Sequence, residues 1–239
     1  IIKSYARLDP RIRAYRNRLN LGVSTTSNIA ISLARCKYLA RMDADDISTP
    51  DRLEKQIKYL KSNPKTVIVG AQCTIINQNN QIIGFKNFPL SSASINDMLF
   101  WAVPIQQGYM MINRSLLPKN FPWYCATKTS AEEVDLYFRL SEYGLFANLK
   151  DNLYFYRQVD NSLSRINPKK TFYLTLQSRL IAIKNGFQPS IKAILVNLAQ
   201  ILVISVLPSS LIYSLWYFIR GVNQAQSKSQ IGTFASIKV

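Results

Sequence analysis

The clearest hydrophobic pattern is the run Val67 to Ile76, which is β-branched and nearly free of charge. That composition fits a strand buried on both faces. Gln78 to Gln81 has turn composition, and Ile82 to Phe85 is expected to return antiparallel. Just upstream, Leu53, Ile57 and Leu60 recur at helical spacing, which predicts a helix over about 50–62 with those residues on one face. Ser48-Thr49-Pro50-Asp51 supplies its capping residue, first-turn proline and early acid, and Asn63-Pro64 stops it. Tyr38 to Met42 is a short apolar run that reads as a strand ending in acids. Before it, the turn Asn20-Leu21-Gly22 and the small hydroxylated residues 24–27 predict a helix over roughly 24–36. Residues 11–18, rich in arginine, read as strand and loop.

The middle of the chain is less regular, with a helix expected near 93–101 and a strand near 108–113. Val134, Tyr137 and Leu140 fall in register for a helix over about 131–143, with Gly144 as its C-cap. Two short strands are expected at 146–149 and 153–157, then a helix over 169–186 closed by Gly186. Helices and strands alternate through 157, which favours an α/β fold with a mostly parallel sheet flanked by helices. Ala193 to Ile219 then runs 27 residues without a charge, broken by Pro208-Ser209-Ser210 into pieces of 15 and 11 residues. Three readings stay open: two helices at a membrane surface, one kinked span, or a helical pair packed on the domain. The first is preferred, because Asn197 and Gln200 interrupt the run and Tyr213, Trp216 and Tyr217 have the character of interface anchors. The expected organisation is a domain over 1–165, a helical, membrane-associated region over 166–220 and a loose tail over 221–239.

Composition narrows the chemistry. The 239 residues carry 30 Lys and Arg against 13 Asp and Glu, a formal charge of +17, and no histidine. The absence of histidine excludes Ser-His-Asp hydrolysis and His-ligated zinc, so acid–base work falls to carboxylates. Three scattered cysteines, without a CxxC pair, fit neither a disulfide scaffold nor a zinc ribbon. The basic surplus points to an anionic partner. Dispersed basic residues and the lack of any nucleic-acid-binding motif favour an anionic membrane surface over nucleic acid. The start at Ile1 reads as lying inside a longer protein.

Asp43-Ala44-Asp45-Asp46 is the most informative tetrapeptide. Three carboxylates in four residues repel one another, and a hard divalent cation relieves that repulsion. The plain alternative is an acidic loop that caps the following helix. Glu132 and Glu133 likewise are either candidate bases or simple acids at a helix start.

The stretch from Asn20 to Ala71, with its Asn-x-Gly turn, helix, strand, Asp-x-Asp and Pro-Asp-Arg-Leu helix, resembles the family 2 glycosyltransferases of the GT-A fold. Ala131 to Gly144 resembles that family's acidic helix, and the segment beginning Tyr156-Arg157 resembles its closing segment. The resemblance covers roughly residues 1–165 and lacks the family's first strand–helix–strand unit. It implies transfer of a sugar from a nucleotide donor to an acceptor hydroxyl, with inversion. By that resemblance Asn20, Gly22, Asn28 and Asp43 lie on the donor side. Asp45 holds Mg²⁺ or Mn²⁺, with Asp46 as the alternative contact, and Glu133 is the base with Glu132 in reserve. Ser27, Gln107 and Val159 stand where relatives often carry Arg, His and His. The expected setting is surface polysaccharide or lipopolysaccharide synthesis, on a glycan or lipid-linked acceptor at the cytoplasmic membrane face. The competing expectation is an inactive, membrane-associated remnant of the same fold.

Overall fold

Every residue from 66 to 76 is buried, and the sheet is organised around that run. The structure is a computed structural model describing residues 1–128, 130–158, 167–208, 212 and 223–224. Helices α1 (Ile2–Leu8) and α2 (Gly22–Leu33) precede strands β1 (Tyr38–Ala40) and β2 (Ile47–Ser48) and helix α3 (Arg52–Ser62). The hairpin β3 (Thr66–Ile76) and β4 (Ile82–Lys86) follows, then α4 (Ser92–Leu99) and β5 (Met111–Asn113). Helix α5 (Glu132–Ser141), strand β6 (Leu145–Arg157), helices α6 (Pro168–Lys184) and α7 (Ile191–Val206) and strand β7 (Asn223–Gln224) complete the described elements.

The sheet is mixed, not mostly parallel. On one edge β3 pairs with β6, the one parallel pairing among the described residues. Its other edge is shared: β5 takes Ile68 and Val69, and β4 takes Cys73 to Ile76, both antiparallel. Strands β1, β3 and β6 do run the same way, but the reversed β5 sits between β1 and β3. The expected pair of strands at 146–149 and 153–157 is one strand. The exposed residues Lys150 to Asn152, which interrupt its apolar pattern, fall where the register against β3 shifts. Gln72 bridges that irregularity, its amide donating to the Phe88 and Leu149 carbonyls and accepting the Phe88 N–H.

Helices α4 and α5 cover one face of the sheet with Ile95, Leu99, Val134, Tyr137 and Leu140. On the other face α3 buries Leu60 against Val69, Met111 and Ala147. The face of α3 differs from the hydrophobic pattern: Leu53 is 48% exposed, and Arg52 and Gln56 are buried instead. The reason is hydrogen bonding. Gln56 donates to the Val69 and Tyr109 carbonyls, and Arg52 donates to the Arg41 carbonyl. Helix α2 starts at Gly22, two residues before the hydroxylated cluster, because Asn20 Oδ1 accepts the Gly22 N–H and Gly22 takes a φ of 73°.

Gly186 ends α6 as expected. Its left-handed φ of 98° lets Gly186 and Phe187 donate to the Ile183 and Ala182 carbonyls, a Schellman closure. Phe187 then packs edge-on against Phe138, and Ala182 and Ala193 join the main core, so α6 and α7 lie against the sheet domain. No helix among the described residues is long and apolar enough to cross a membrane. Residues 209–211, 213–222 and 225–239, with the second uncharged piece and the tail, lie outside the described residues, as do Val159 and the rest of the closing segment to 166.

Gly144 is not a cap. The α5 helix ends at Ser141 with Glu142 as its C-cap, and an added Cβ on Gly144 would lie 2.6 Å from the Lys65 carbonyl oxygen. The glycine is there for close approach of backbone to backbone. Gly144→Ala should cost about 1–3 kcal/mol of stability, read from denaturant unfolding at constant m-value. An unchanged midpoint would show that the 65–67 segment yields freely.

Candidate active site

The acidic loop sits between β1 and β2 and is fastened from below by β6. Strand β2 pairs Ile47 with Phe155 and Ser48 with Tyr154, which brings the end of β6 under the loop. Asp46 is buried, and both of its oxygens are engaged: Oδ2 accepts from the Tyr154 hydroxyl at 2.6 Å and Oδ1 from the Arg157 N–H at 2.7 Å. The Arg157 side chain then donates to the Asp45 carbonyl at 2.7 Å and to the Asn77 carbonyl at 3.0 Å. The loop is thus tied to β6 and to the β3–β4 turn at once. Burial pushes the Asp46 carboxyl up to about 6; the two donors oppose that shift, and repulsion from Asp45 and Asp43 adds to it.

Asp43 has another set of neighbours. Its Oδ1 accepts from Arg41 Nε at 3.1 Å. A Cβ on Gly108 would fall 2.7 Å from Asp43 Oδ2 and 2.8 Å from the Tyr154 hydroxyl, so only glycine permits this approach. Next to it, Gln107 has its Nε2 buried without a hydrogen bond of normal geometry. Arg41 continues outward, donating to Ser27 Oγ at 3.2 Å and to the Tyr124 hydroxyl at 3.4 Å. Tyr124 is itself held by Asn28, whose amide accepts the Tyr124 N–H and donates to its carbonyl.

Through Tyr124 the loop meets α5. Burial pushes the Tyr124 hydroxyl up, Arg41 pulls it down, and Glu132 pushes it up again. Tyr137, driven up first by burial, next feels Glu133 and then Tyr124 and Arg41. Asp43, Arg41, Tyr124 and the two glutamates therefore share one electrostatic neighbourhood. Ala131, just before Glu132, takes a left-handed φ of 56°. That conformation costs a non-glycine residue about 1–2 kcal/mol and sets the entry of the helix that carries both acids. Asp135 is turned to other work, pairing with Arg139 at 2.6 Å and Lys128 at 3.7 Å.

The residues named from sequence divide into two groups. Asp43, Asp45 and Asp46 lie on one loop, with Glu132 and Glu133 in the neighbourhood that Arg41 and Tyr124 join to it. Asn28 reaches that neighbourhood only by holding Tyr124, with both ends of its amide spent on the backbone. Asn20 and Gly22 shape the exposed start of α2, where the Gly22 N–H donates to Asn20 Oδ1, away from the acids. Asp46, named as an alternative metal contact, is occupied by Tyr154 and Arg157 and acts as an anchor. Asp45 is exposed, and its carboxylate makes no ion pair among the described residues. Arg41, Tyr124 and Tyr154 escaped the sequence reading; the only signal was their position beside motifs already noted.

Carboxylate oxygens are the donors a hard divalent cation prefers. Among the described residues no group of three His, Cys, Asp or Glu side chains could hold a metal ion by itself. The donor set fits a cation that shares one or two carboxylates with the phosphates of a ligand.

The family model for glycosyl transferase family 2 matches residues 1–121, just over half of the chain, including the acidic loop. The chain belongs to this family. An uncharacterized glycosyltransferase from Methanocaldococcus jannaschii is 33% identical over 74% of this chain and 62% of its own length. The O-antigen biosynthesis glycosyltransferase WbnJ of Escherichia coli is 34% identical over 58% of this chain and 53% of its own length. The chain thus spans roughly half to three fifths of the length of these relatives. In fold it is similar to Staphylococcus aureus TarS, with a TM-score of 0.58 at 14% identity over 82% of this chain and 55% of that one. A GT-A-like fold with a mixed sheet is the architecture that results. Helix α5 and its glutamates lie beyond the residues that the family model matches.

Because the fold prefers Asp46 protonated, its contribution to stability is complete below the ordinary carboxylate range and declines as pH rises through about 6. In the presence of a chelator, thermal unfolding of the wild type should lose stability across that window, and Asp46→Asn should flatten the slope there. An identical pH profile for the two proteins would remove this assignment.

Proposed function

We propose that this chain carries the reaction cleft of an inverting glycosyltransferase that moves a sugar from a nucleotide diphosphate to an acceptor hydroxyl. The observation that carries the reading is the chain of contacts from the Asp43–Asp46 loop through Arg41 and Tyr124 to the electrostatic reach of Glu132 and Glu133. A glycosyl transfer needs two things at opposite sides of the anomeric carbon: a place for the departing diphosphate and a base for the incoming alcohol.

Asp45 is the residue to hold Mg²⁺ or Mn²⁺, since its carboxylate is exposed while its own carbonyl is pinned by Arg157. Bound there, such an ion supplies electrostatic stabilisation of charge on a diphosphate. Asp43, fixed by Arg41, lies on the nucleoside side. Gln107, whose side chain lies against the Tyr124 hydroxyl, is placed to donate to a phosphate oxygen. Glu133 takes the proton of the acceptor hydroxyl as the new C–O bond forms and the bond to the diphosphate oxygen breaks; Glu132, more deeply buried, orients the site. The acceptor class is a growing surface glycan, free or lipid-linked, a reading supported by the O-antigen role in the name of the Escherichia coli relative.

Donor turnover should be followed with a panel of UDP-, GDP- and dTDP-sugars in Mn²⁺ and in chelator. Asp45→Asn and Glu133→Gln should each lower turnover by about a hundredfold or more while the thermal midpoint stays put, and chelation should abolish it. Equal turnover in Glu133→Gln would remove that residue as base. No turnover of any donor by the wild type would favour an inactive remnant of the fold.

A further inference from the structure

Helix α7 is apolar on both of its sides, unlike most helices packed on a soluble domain. Such helices turn apolar residues inward and polar ones outward. Here the inward side carries the buried Ala193 and Ile204 and, between them, Asn197, 4% exposed, which donates to the Phe100 carbonyl at 2.9 Å. One turn on, Gln200 donates to the Trp101 carbonyl at 2.8 Å and accepts from Arg179 at 3.1 Å. Outward stand Ile191, Leu195, Leu198, Leu202 and Val206, at 79%, 60%, 56%, 67% and 73% exposure. Their spacing of four, three, four and four residues makes one continuous aliphatic stripe. The two polar side chains fix the rotation of the helix, so the stripe cannot turn inward without losing three hydrogen bonds.

Charge selects the occupant. From Asn161 to the last residue the chain holds nine Lys and Arg and no Asp or Glu; Arg179 among them is buried against Gln200, while Lys170, Lys184 and Lys192 are exposed. An aliphatic stripe within a segment of one sign matches an anionic bilayer, where acyl chains take the leucines and headgroups take the cations. At 16 residues, α7 is about 24 Å long, and it does not qualify as a span. It suits a helix lying in the plane of the interface. A stripe of five aliphatic side chains is also small beside the about 800 Å² per partner of a standard protein interface.

We infer that α7 docks this protein on an anionic lipid surface, with Leu195, Leu198, Leu202 and Val206 entering the acyl boundary. The inference is independent of the proposed reaction and survives if that reading fails. The test is flotation of the full chain with phosphatidylcholine vesicles and with phosphatidylcholine–phosphatidylglycerol vesicles. The wild type should float with the anionic vesicles. Leu198→Glu/Leu202→Glu, checked for folding by its thermal midpoint, should partition at least about tenfold less, whereas Leu198→Phe/Leu202→Phe should float like the wild type. If the glutamate pair unfolds the protein, Leu198→Ser/Leu202→Ser is read by the same criterion. Equal flotation of wild type and polar variants overturns the inference. So does no flotation of the wild type, including the case where the stripe instead holds a dimer that the glutamate pair dissociates in sedimentation.

Discussion

A buried carboxylate, Asp46, decides the shape of the site. Left without partners it would be one of the costlier groups in the molecule, yet the Tyr154 hydroxyl and the Arg157 N–H meet both of its oxygens. Those two donors sit on the last turn of pleat of β6, whose parallel pairing with β3 reaches Ile76 and Arg157. The acidic loop therefore inherits the rigidity of the central sheet. Arg157 extends the restraint by bonding the Asp45 carbonyl and the β3–β4 turn with one guanidinium. Its planar fork of donors suits such a junction better than a lysine would. With backbone and neighbour both fixed, the Asp45 carboxylate is presented to solvent without having to hold the loop itself.

The second constraint joins this loop to the acids of α5. Arg41 lies between Asp43, Ser27 and Tyr124, and Asn28 fixes Tyr124 by bonding its backbone in both directions. Helix α2 thus serves the site indirectly, as a post on which the 124–128 segment hangs; Ser24 adds a bond to the Lys128 carbonyl. Ser27 accepts a hydrogen bond from Arg41 at 3.2 Å. Arg41 thereby brings a guanidinium between Ser27 and Asp43.

Much of this was legible from periodicity and chemistry. The uncharged run 67–76 announced the central strand, the left-handed glycine at 186 closed its helix, and the acidic tetrapeptide marked the loop. The rest was hidden for physical reasons. Strand direction depends on which edge a distant segment takes, so the reversed β5 between β1 and β3 had no local signature. Polar side chains that bond buried carbonyls, as Gln56 and Arg52 do on α3, invert a face that hydrophobic spacing assigns to Leu53. Glycines at 108 and 144 answer to neighbours remote in sequence, Asp43 and Lys65, whereas the local pattern offered only the start of a strand and a helix C-cap. Asn28 shows the same limit from the other side: its residue type suited a ligand contact, while its amide is spent on the Tyr124 backbone.

The central claim is that the exposed Asp45 carboxylate and the α5 glutamates face a common cleft. A crystal of the protein grown with a nucleoside diphosphate and Mn²⁺ tests it most directly, through the anomalous signal of the metal. The account predicts a manganese peak against Asp45 and the diphosphate, with the Glu133 carboxylate opening onto the same cavity. A peak on another surface, or a nucleotide seated where α5 cannot reach it, would contradict it.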